Sequence, residues 1–268
     1  MKLGVVLEPS ALAEQAEQAE ALGFDIAWIE PGGPIEDTIV AAASLAPRTS
    51  SIRLAAVVPV GRDPVRLAED AAVADLVSGG RFLLALAGDD PELLAETVDV
   101  FFRATAPSPF AHRGARWTVP ARLPANEPGE ERLRVTPAPL QLELPIWLLG
   151  EAAPEVAASH GLSCVASEDG PVSVAREAWS AVERRLGPAA ARLRRPALRA
   201  FDGGDPELLV ASLRADREAF GLDVAVVRIT GPDRATSLRR VATHVRPRLQ
   251  LDRLPDGLGE HWAEEIGA

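Results

Sequence analysis

Tyrosine is absent from this chain, and cysteine, lysine and methionine occur once each, as Cys164, Lys2 and Met1. A single cysteine excludes an internal disulfide and any cysteine-based metal cluster. Cys164 lies in an apolar stretch and reads as a small buried hydrophobe rather than a nucleophile. The sole lysine sits at the start of the first apolar run, which leaves Schiff-base chemistry without a suitable residue. Histidine is scarce as well. His112, His160, His244 and His261 show neither His-x-His nor His-x-x-x-His spacing, so a zinc hydrolase is not expected. Positive charge is in deficit: 28 Lys and Arg against 39 Asp and Glu leave a net charge of −11 at pH 7. That balance speaks against a nucleic-acid partner, which a basic patch would announce. No apolar run approaches the ~20 residues of a membrane span. No charged start, apolar stretch and small-residue cleavage site is visible, so the expectation is a cytoplasmic protein with no membrane partner.

What is present is a globular composition, 47% hydrophobic and 25% charged, which excludes wholesale disorder. Leu3 to Leu7 is an apolar run with β-branched residues, the pattern of a strand buried on both faces. Ser10 is expected to cap a helix whose stripe is Leu12, Ala16, Ala19 and Leu22, and Gly23 to end it. Ile26 to Ile29 is the next buried strand. The alternation continues: a helix near 36–46, a strand from Ile52 to Val58, and a helix capped by Asp63 with Pro64 in its first turn. Then follow the strand Phe82 to Ala87 and a helix from Pro91 to about Ala104. After an irregular stretch come the strand Ile146 to Leu149, a helix from about Pro154, and the strand Ser163 to Ala166. Helices near 172–186, 206–220 and 232–245 alternate with the strands Ala197 to Phe201 and Val224 to Ile229.

Strict alternation implies a parallel sheet, and eight βα units in ~250 residues match a TIM (β/α)8 barrel of the α/β class. The structural alternative, a doubly wound sheet, calls for a Gly-x-Gly-x-x-Gly turn after the first strand; here that turn reads Glu8-Pro9-Ser10. One barrel domain is expected over 1–268. Within it, 105–143 forms a long proline-rich excursion after the fourth βα unit, beside the barrel mouth, with Trp117 or Phe110 packed against the barrel. Trp117 and Val119 suit a short edge strand. Trp28 and Trp147, both in strands, read as core residues rather than stacking partners of a ligand.

Motifs through the first 150 residues share one resemblance. They are Leu22-Gly23-Phe24-Asp25 with Trp28, Ile52-Arg53-Leu54, Arg62-Asp63-Pro64-Val65-Arg66-Leu67-Ala68 and Asp75-Leu76-Val77-Ser78-Gly79-Gly80-Arg81-Phe82. Phe110-Ala111-His112-Arg113-Gly114, Pro137-Ala138-Pro139-Leu140-Gln141 and Pro145 to Gly150 complete the series. In order and spacing they resemble the bacterial-luciferase-like superfamily of flavin- and deazaflavin-dependent oxidoreductases. The resemblance implies FMN or the deazaflavin coenzyme F-420 in the barrel mouth, a small-molecule substrate, monooxygenation or hydride transfer, and a homodimer. The chain also departs from the family. Ile29 to Pro34 lacks the polar or histidine-containing segment many relatives carry after the second strand, and Gly88-Asp89-Asp90 replaces a Gly-x-Gly turn. These departures sustain a second reading, a non-catalytic member that uses neither cofactor and acts as a binding or structural protein.

The C-terminal strand ends of a barrel carry its site. The residues expected there are Glu8, Glu30, Pro59, Arg62, Gly88, Asp89, Asp90, Gly150, Glu151, Glu168, Asp169, Asp202 and Thr230. Most of the acidic ones are expected to cap helices. By the resemblance, Gly150, Glu151, Ala152 and Ala153 would hold the cofactor phosphate at a helix N-terminus, with Pro59 and Gly88 as further cofactor contacts. Glu30 is the candidate for proton transfer, and His112 and Arg113 are the candidate substrate contacts. Glu151 and its acidic neighbours would repel a phosphate, so weak cofactor binding is expected.

Overall fold

Short buried runs alternate with capped helices along the chain, and the computed structural model describes residues 1–32, 37–121, 132–168 and 170–250. In order they are β1 (Lys2–Val6), α1 (Leu12–Ala21), β2 (Ile26–Ile29), α2 (Thr38–Leu45), β3 (Arg53–Pro59), α3 (Pro64–Val77), β4 (Phe82–Ala87) and α4 (Pro91–Thr105). Two short strands follow, β5 (His112–Arg113) and β6 (Thr118–Val119). The second half holds β7 (Ile146–Leu149), α5 (Ala153–His160), β8 (Ser163–Cys164), α6 (Val172–Leu186), β9 (Pro196–Phe201), α7 (Pro206–Phe220), β10 (Val224–Ile229), α8 (Arg234–Arg240) and α9 (Arg246–Gln250). A π-helical turn at Val241–Val245 joins the last two helices.

Aspartates start five of these helices. Asp37, Asp63, Asp90, Asp205 and Asp233 each accept from backbone N–H groups of the first turn, where the helix dipole also favours a negative charge. Ser10 does not cap α1. Pro9 opens a 3-10 turn instead, the N-cap position falls to Ala11, and no side chain caps that helix. Gly23, Gly161 and Gly221 end α1, α5 and α7 in the left-handed region, as helix C-termini favour.

Eight of the strands among the described residues pair in parallel in the order β8-β7-β4-β3-β2-β1-β10-β9. A parallel bridge from Ala166 to Ala197 brings the two ends of that row together and nearly closes the barrel. This is the (β/α)8 architecture read from the alternation, and each strand has two buried faces because helices cover the outside. Leu3, Val5, Leu54, Ala56, Leu84, Leu86, Ala225 and Val227 face the helices. Val6, Ile26, Trp28, Ala55, Val57, Leu83, Ala85, Trp147, Leu198, Val224 and Val226 fill the barrel.

Inside the barrel, Trp28 and Trp147 lie with ring centroids 6.0 Å apart at an interplanar angle of 31°. Trp28 is fully buried and Trp147 is 3% exposed, so both are core, as expected of strand tryptophans. Gly4 makes the space: a Cβ there would sit 2.9 Å from Ile26 Cβ and 3.3 Å from Val226 Cγ2. Cys164 is partly buried against the core, and desolvation pushes its thiol up to about 12, which removes it as a nucleophile at neutral pH.

The excursion after α4 rises along that helix and returns. The β5–β6 hairpin pairs His112 with Val119 and Arg113 with Thr118. Glu96 of α4 accepts from the backbone N–H groups of Arg116 and Trp117 at 2.9 and 2.8 Å and lies 3.0 Å from His112 Nε2. Arg116 reaches Asp90 at the mouth end of α4, 3.1 Å away. Gln141 then binds Asp75 and the Phe82 carbonyl, at the opposite end of the barrel. Phe110 is buried and Trp117 packs against the main core. The expected proximity to the mouth therefore holds at Arg116, whereas residues 122–131 lie outside the described ones.

Candidate active site at the barrel mouth

The strand pattern of β10 carries a charge into the barrel. Val224, Val226 and Arg228 share the inward face, and Arg228 lies one turn of the pleat from the C-terminal end. Its Nη1 and Nη2 donate to the two carboxylate oxygens of Glu30 at 2.6 and 2.8 Å, and its Nε donates to Glu168 at 2.6 Å. Trp28 Nε1 donates to the same Glu30 at 3.1 Å. A single guanidinium thus spans the mouth from β2 to the segment after β8, above the two tryptophans. Hydrogen bonding to Glu30 raises the Arg228 pKa above its already high ordinary value; burial opposes this, and Glu168 adds to the rise. The charge of Arg228 is fixed at every accessible pH.

Arg234, at the start of α8, joins this cluster. It donates to the carbonyls of Val6 and Ile229. Its Nε is buried without a hydrogen-bond partner, and the Glu8 carboxylate stands 3.7 Å away. Burial lowers its pKa, with Glu8 opposing and Arg228 adding to the fall. The centre of the mouth therefore holds two arginines and three glutamates, a slightly negative and tightly paired set.

The expected acidic crown resolves into different roles. Asp90 caps its own helix, as anticipated. Glu8 does not: its backbone N–H and carboxylate bind the Gln15 amide. Glu168 goes to Arg228, not to a helix N-terminus. Asp202 accepts from the Gly204 N–H. Asp169 falls outside the described residues, as does His261.

Pro59, Gly88 and Gly150 to Ala153 are brought together in one sector. Register pairs Pro59 with Ala87 and Ala87 with Leu149, so the ends of β3, β4 and β7 are neighbours. Pro59 borders an open hollow of about 330 Å³ with Pro31, Asp37, Thr38, Val58 and Arg62. Arg62 is held in it by Asp37 at 2.8 Å and Asp70 at 3.2 Å.

Gly150, at φ +99°, lies so close to β4 that a Cβ would sit 2.5 Å from the Gly88 carbonyl oxygen. The N–H of Glu151 donates to Asp89 Oδ1 at 2.9 Å, and that of Ala153 donates to the Gly150 carbonyl at 3.2 Å. Two of the amides that would cradle a phosphate are thus already bonded, one of them to a carboxylate. As it stands, this place does not fit a doubly charged phosphate. Arg116 is engaged with Asp90, and Arg113 donates to the carbonyls of His112 and Val119 within its own hairpin. His112 is held by Glu96. The two candidate substrate contacts are therefore seated in the hairpin and against α4.

Sequence reasoning passed over Arg228 and Arg234. Arg228 had a signal: a charge at an inward position of the run Val224 to Ile229, where alternation calls for an apolar residue. Arg234, in a helix rich in arginine, had none.

Solved structures share this architecture. The monooxygenase RslO1 from Streptomyces bottropensis superposes with a TM-score of 0.75 at 19% identity, covering 92% of this chain and 99% of that one. The oxygenating constituent of 3,6-diketocamphane monooxygenase from Pseudomonas putida, solved in complex with FMN, gives 0.66 at 16% identity, covering 92% and 98%. The coenzyme F420 dependent tetrahydromethanopterin reductase from Methanopyrus kandleri gives 0.70 at 15% identity, covering 92% and 99%. At such identities the likeness shows the fold alone. The sequence itself matches the family model for luciferase-like monooxygenases over residues 6–201. With motifs, barrel and family model in agreement over most of its length, the chain belongs to the luciferase-like monooxygenase family.

Proposed function

We propose that this chain is a luciferase-like oxidoreductase that acts on a small molecule at the barrel mouth and meets FMN or the deazaflavin F-420 as a loosely held co-substrate. Family membership supports the reaction class. The observation that carries the loose binding is the Asp89 carboxylate on the Glu151 N–H, at the helix end where a phosphate would otherwise be bound. FMN with oxygen would supply monooxygenation, and the deazaflavin hydride transfer; the protein supplies placement and electrostatics.

In this reading Arg228 offers its remaining N–H groups, rather than a net positive charge, to whatever enters the mouth, because Glu30 and Glu168 neutralise it. Glu30 and Glu168 position it, and Glu30 is a positioning residue rather than the proton donor. The buried Nε of Arg234, which has no hydrogen-bond partner among the described residues and faces Glu8 at 3.7 Å, is the second polar group on offer. Trp28 and Trp147 close the barrel below and keep water out. His112 and Arg113 hold the hairpin beside the mouth, and Pro59 and Gly88 shape its rim.

The test supplies reduced FMN or reduced F-420 to the purified protein and follows cofactor oxidation. The expected result is a protein that purifies colourless and consumes one of the two at a rate proportional to protein, saturating only at high cofactor concentration. A tightly bound, stoichiometric flavin in the purified protein contradicts the co-substrate reading. Absence of any protein-dependent consumption contradicts the oxidoreductase reading. A homodimer belongs to the same proposal. Val40 on α2 and Val73, Leu76 and Val77 on α3 are large exposed apolar residues, a patch of the kind that marks interfaces. Val77→Asp is expected to convert a dimer to a monomer in light scattering; a wild-type monomer refutes it.

A further inference from the structure

The barrel has a second end, and it holds a cavity of about 490 Å³. Lys2, Ile26, Arg53, Ile146, Ser163 and Val224 line it, and each is the first residue of its strand. The cavity therefore opens at the N-terminal face, about 20 Å along a six-residue strand from the mouth. Its size lies within the roughly 300–1,000 Å³ of small-molecule sites. Apart from Trp147, which closes the barrel between the two ends, none of the residues assigned to the mouth contributes to it.

The chemistry of the lining is divided. Its inner wall is apolar: Ile26, Leu83, Ile146, Trp147, Leu162 and Val224 are all buried. Its outer part carries Lys2, Arg53, Arg192 and Arg194, against the single carboxylate of Glu143. His160 also borders it and is paired with Asp99 at 3.3 Å. Four cations around one opening are unexpected in a chain of net charge −11. Part of that charge is spoken for. Arg194 pairs with Asp223 at 3.1 Å, and Arg53 makes a long 3.5 Å contact with the neutral Gln141 amide. The Arg192 guanidinium is exposed and has no partner among the described residues. The uncommitted charge suits a monoanion better than a phosphate.

We propose that this floor cavity is a binding site for a small amphipathic monocarboxylate, its apolar body against Trp147 and Leu162 and its carboxylate between Arg192 and Arg53. The apolar wall supplies affinity by burial. The planar guanidinium fork of Arg192 fixes the orientation by bidentate contact with the carboxylate. This site is independent of the reaction at the mouth.

Trp147 is a reporter built into the wall. The test titrates the full-length protein with decanoate, following tryptophan emission and binding heat, with decan-1-ol and acetate as probes that lack the charge and the apolar body. Decanoate is expected to bind saturably at one per chain, and decanol and acetate each at least about tenfold more weakly. Decanoate affinity falls as salt rises whereas decanol affinity does not, because the carboxylate contact is ionic and the hydroxyl contact is not. Arg192→Glu weakens decanoate about tenfold, and Ala189→Trp, which places a ring over the cavity edge, blocks it. Both positions are exposed, and circular dichroism confirms that the variants fold. The proposal is overturned if decanoate shows no saturable binding. It is equally overturned if decanol binds as tightly as decanoate, or if Arg192→Glu and Ala189→Trp bind decanoate like the unmodified protein.

Discussion

Replacing Arg228 with methionine removes the one cation that Glu30 and Glu168 share. The side chains of Arg228, Glu30 and Glu168 are 31%, 24% and 20% exposed, so the cluster is neither a surface pair nor a sealed one. Removing one partner of a sealed pair costs about 3–5 kcal/mol, whereas an exposed pair contributes about 0–1 kcal/mol. Three hydrogen bonds of 2.6–2.8 Å are lost, and two carboxylates are left facing each other. An intermediate cost of about 2 kcal/mol follows, which lowers the melting temperature by about 4–8 °C in a protein of this size. The triple change Arg228→Met, Glu30→Gln, Glu168→Gln removes every charge while keeping shape and leaves an acceptor for Trp28 Nε1. It is expected to recover most of the loss, since neutralising a whole cluster costs far less than orphaning part of it. Urea unfolding of the three proteins gives the energies. An unchanged midpoint for Arg228→Met, or a triple variant as weak as the single one, refutes the account of the mouth.

Two further outcomes follow from the periphery. Burial works to raise the pKa of Glu20, but the backbone N–H groups of Ile52, Ser51 and Ser50 and the Ser51 hydroxyl outweigh it and bring the carboxyl down from 4.5 to about 2. A depressed carboxyl stabilises fully above its unfolded pKa, so this contribution is complete above about pH 4.5 and fades as pH falls through 2. At about 1.4 kcal/mol per pH unit, discounted for partial exposure, Glu20→Gln costs about 2 kcal/mol at pH 7; a loss that is as large at pH 2 contradicts it. Glu96→Ala removes the acceptor of two backbone N–H groups and the His112 partner together. It is expected to raise hydrogen exchange at residues 112–119 well before global unfolding; unchanged protection there counts against Glu96 as the anchor of the hairpin.

Much of the fold was legible because its signals are local. Asp63-Pro64 and Pro91 announce helix starts by known capping chemistry, and runs such as Leu3 to Leu7 are buried on both faces because the sheet is parallel. Ser10 misled because a preceding proline imposed its own turn. The barrel mouth was less legible. Glu30, Glu168 and Arg228 are far apart in sequence and meet only when the sheet closes, so nothing in their neighbourhoods announces the ion cluster. Asp89 looked like one more acidic cap, and its role on the Glu151 amide depends on β4 and β7 being adjacent across the long excursion. The floor cavity had no sequence signal, because its cations come from three separate segments.

The central claim is that the mouth resists retention of a cofactor phosphate because Asp89 occupies the helix end. Asp89→Asn isolates the charge, since its side-chain oxygen can still accept from Glu151 N–H. One unit-charge repulsion at ~4 Å is worth about 1 kcal/mol in water and ~4 kcal/mol at an effective dielectric of 20. Asp89 is exposed, so the lower end applies, about fivefold in affinity at 1.4 kcal/mol per tenfold. The decisive measurement is the FMN dissociation constant of the unmodified protein, Asp89→Asn and Glu151→Gln at low and at physiological salt. Weak binding by the unmodified protein is predicted, strengthened about fivefold by Asp89→Asn, less by Glu151→Gln, and by more at low salt than at high. Tight FMN binding by the unmodified protein, or an Asp89→Asn variant with unchanged affinity at both salt concentrations, would contradict it.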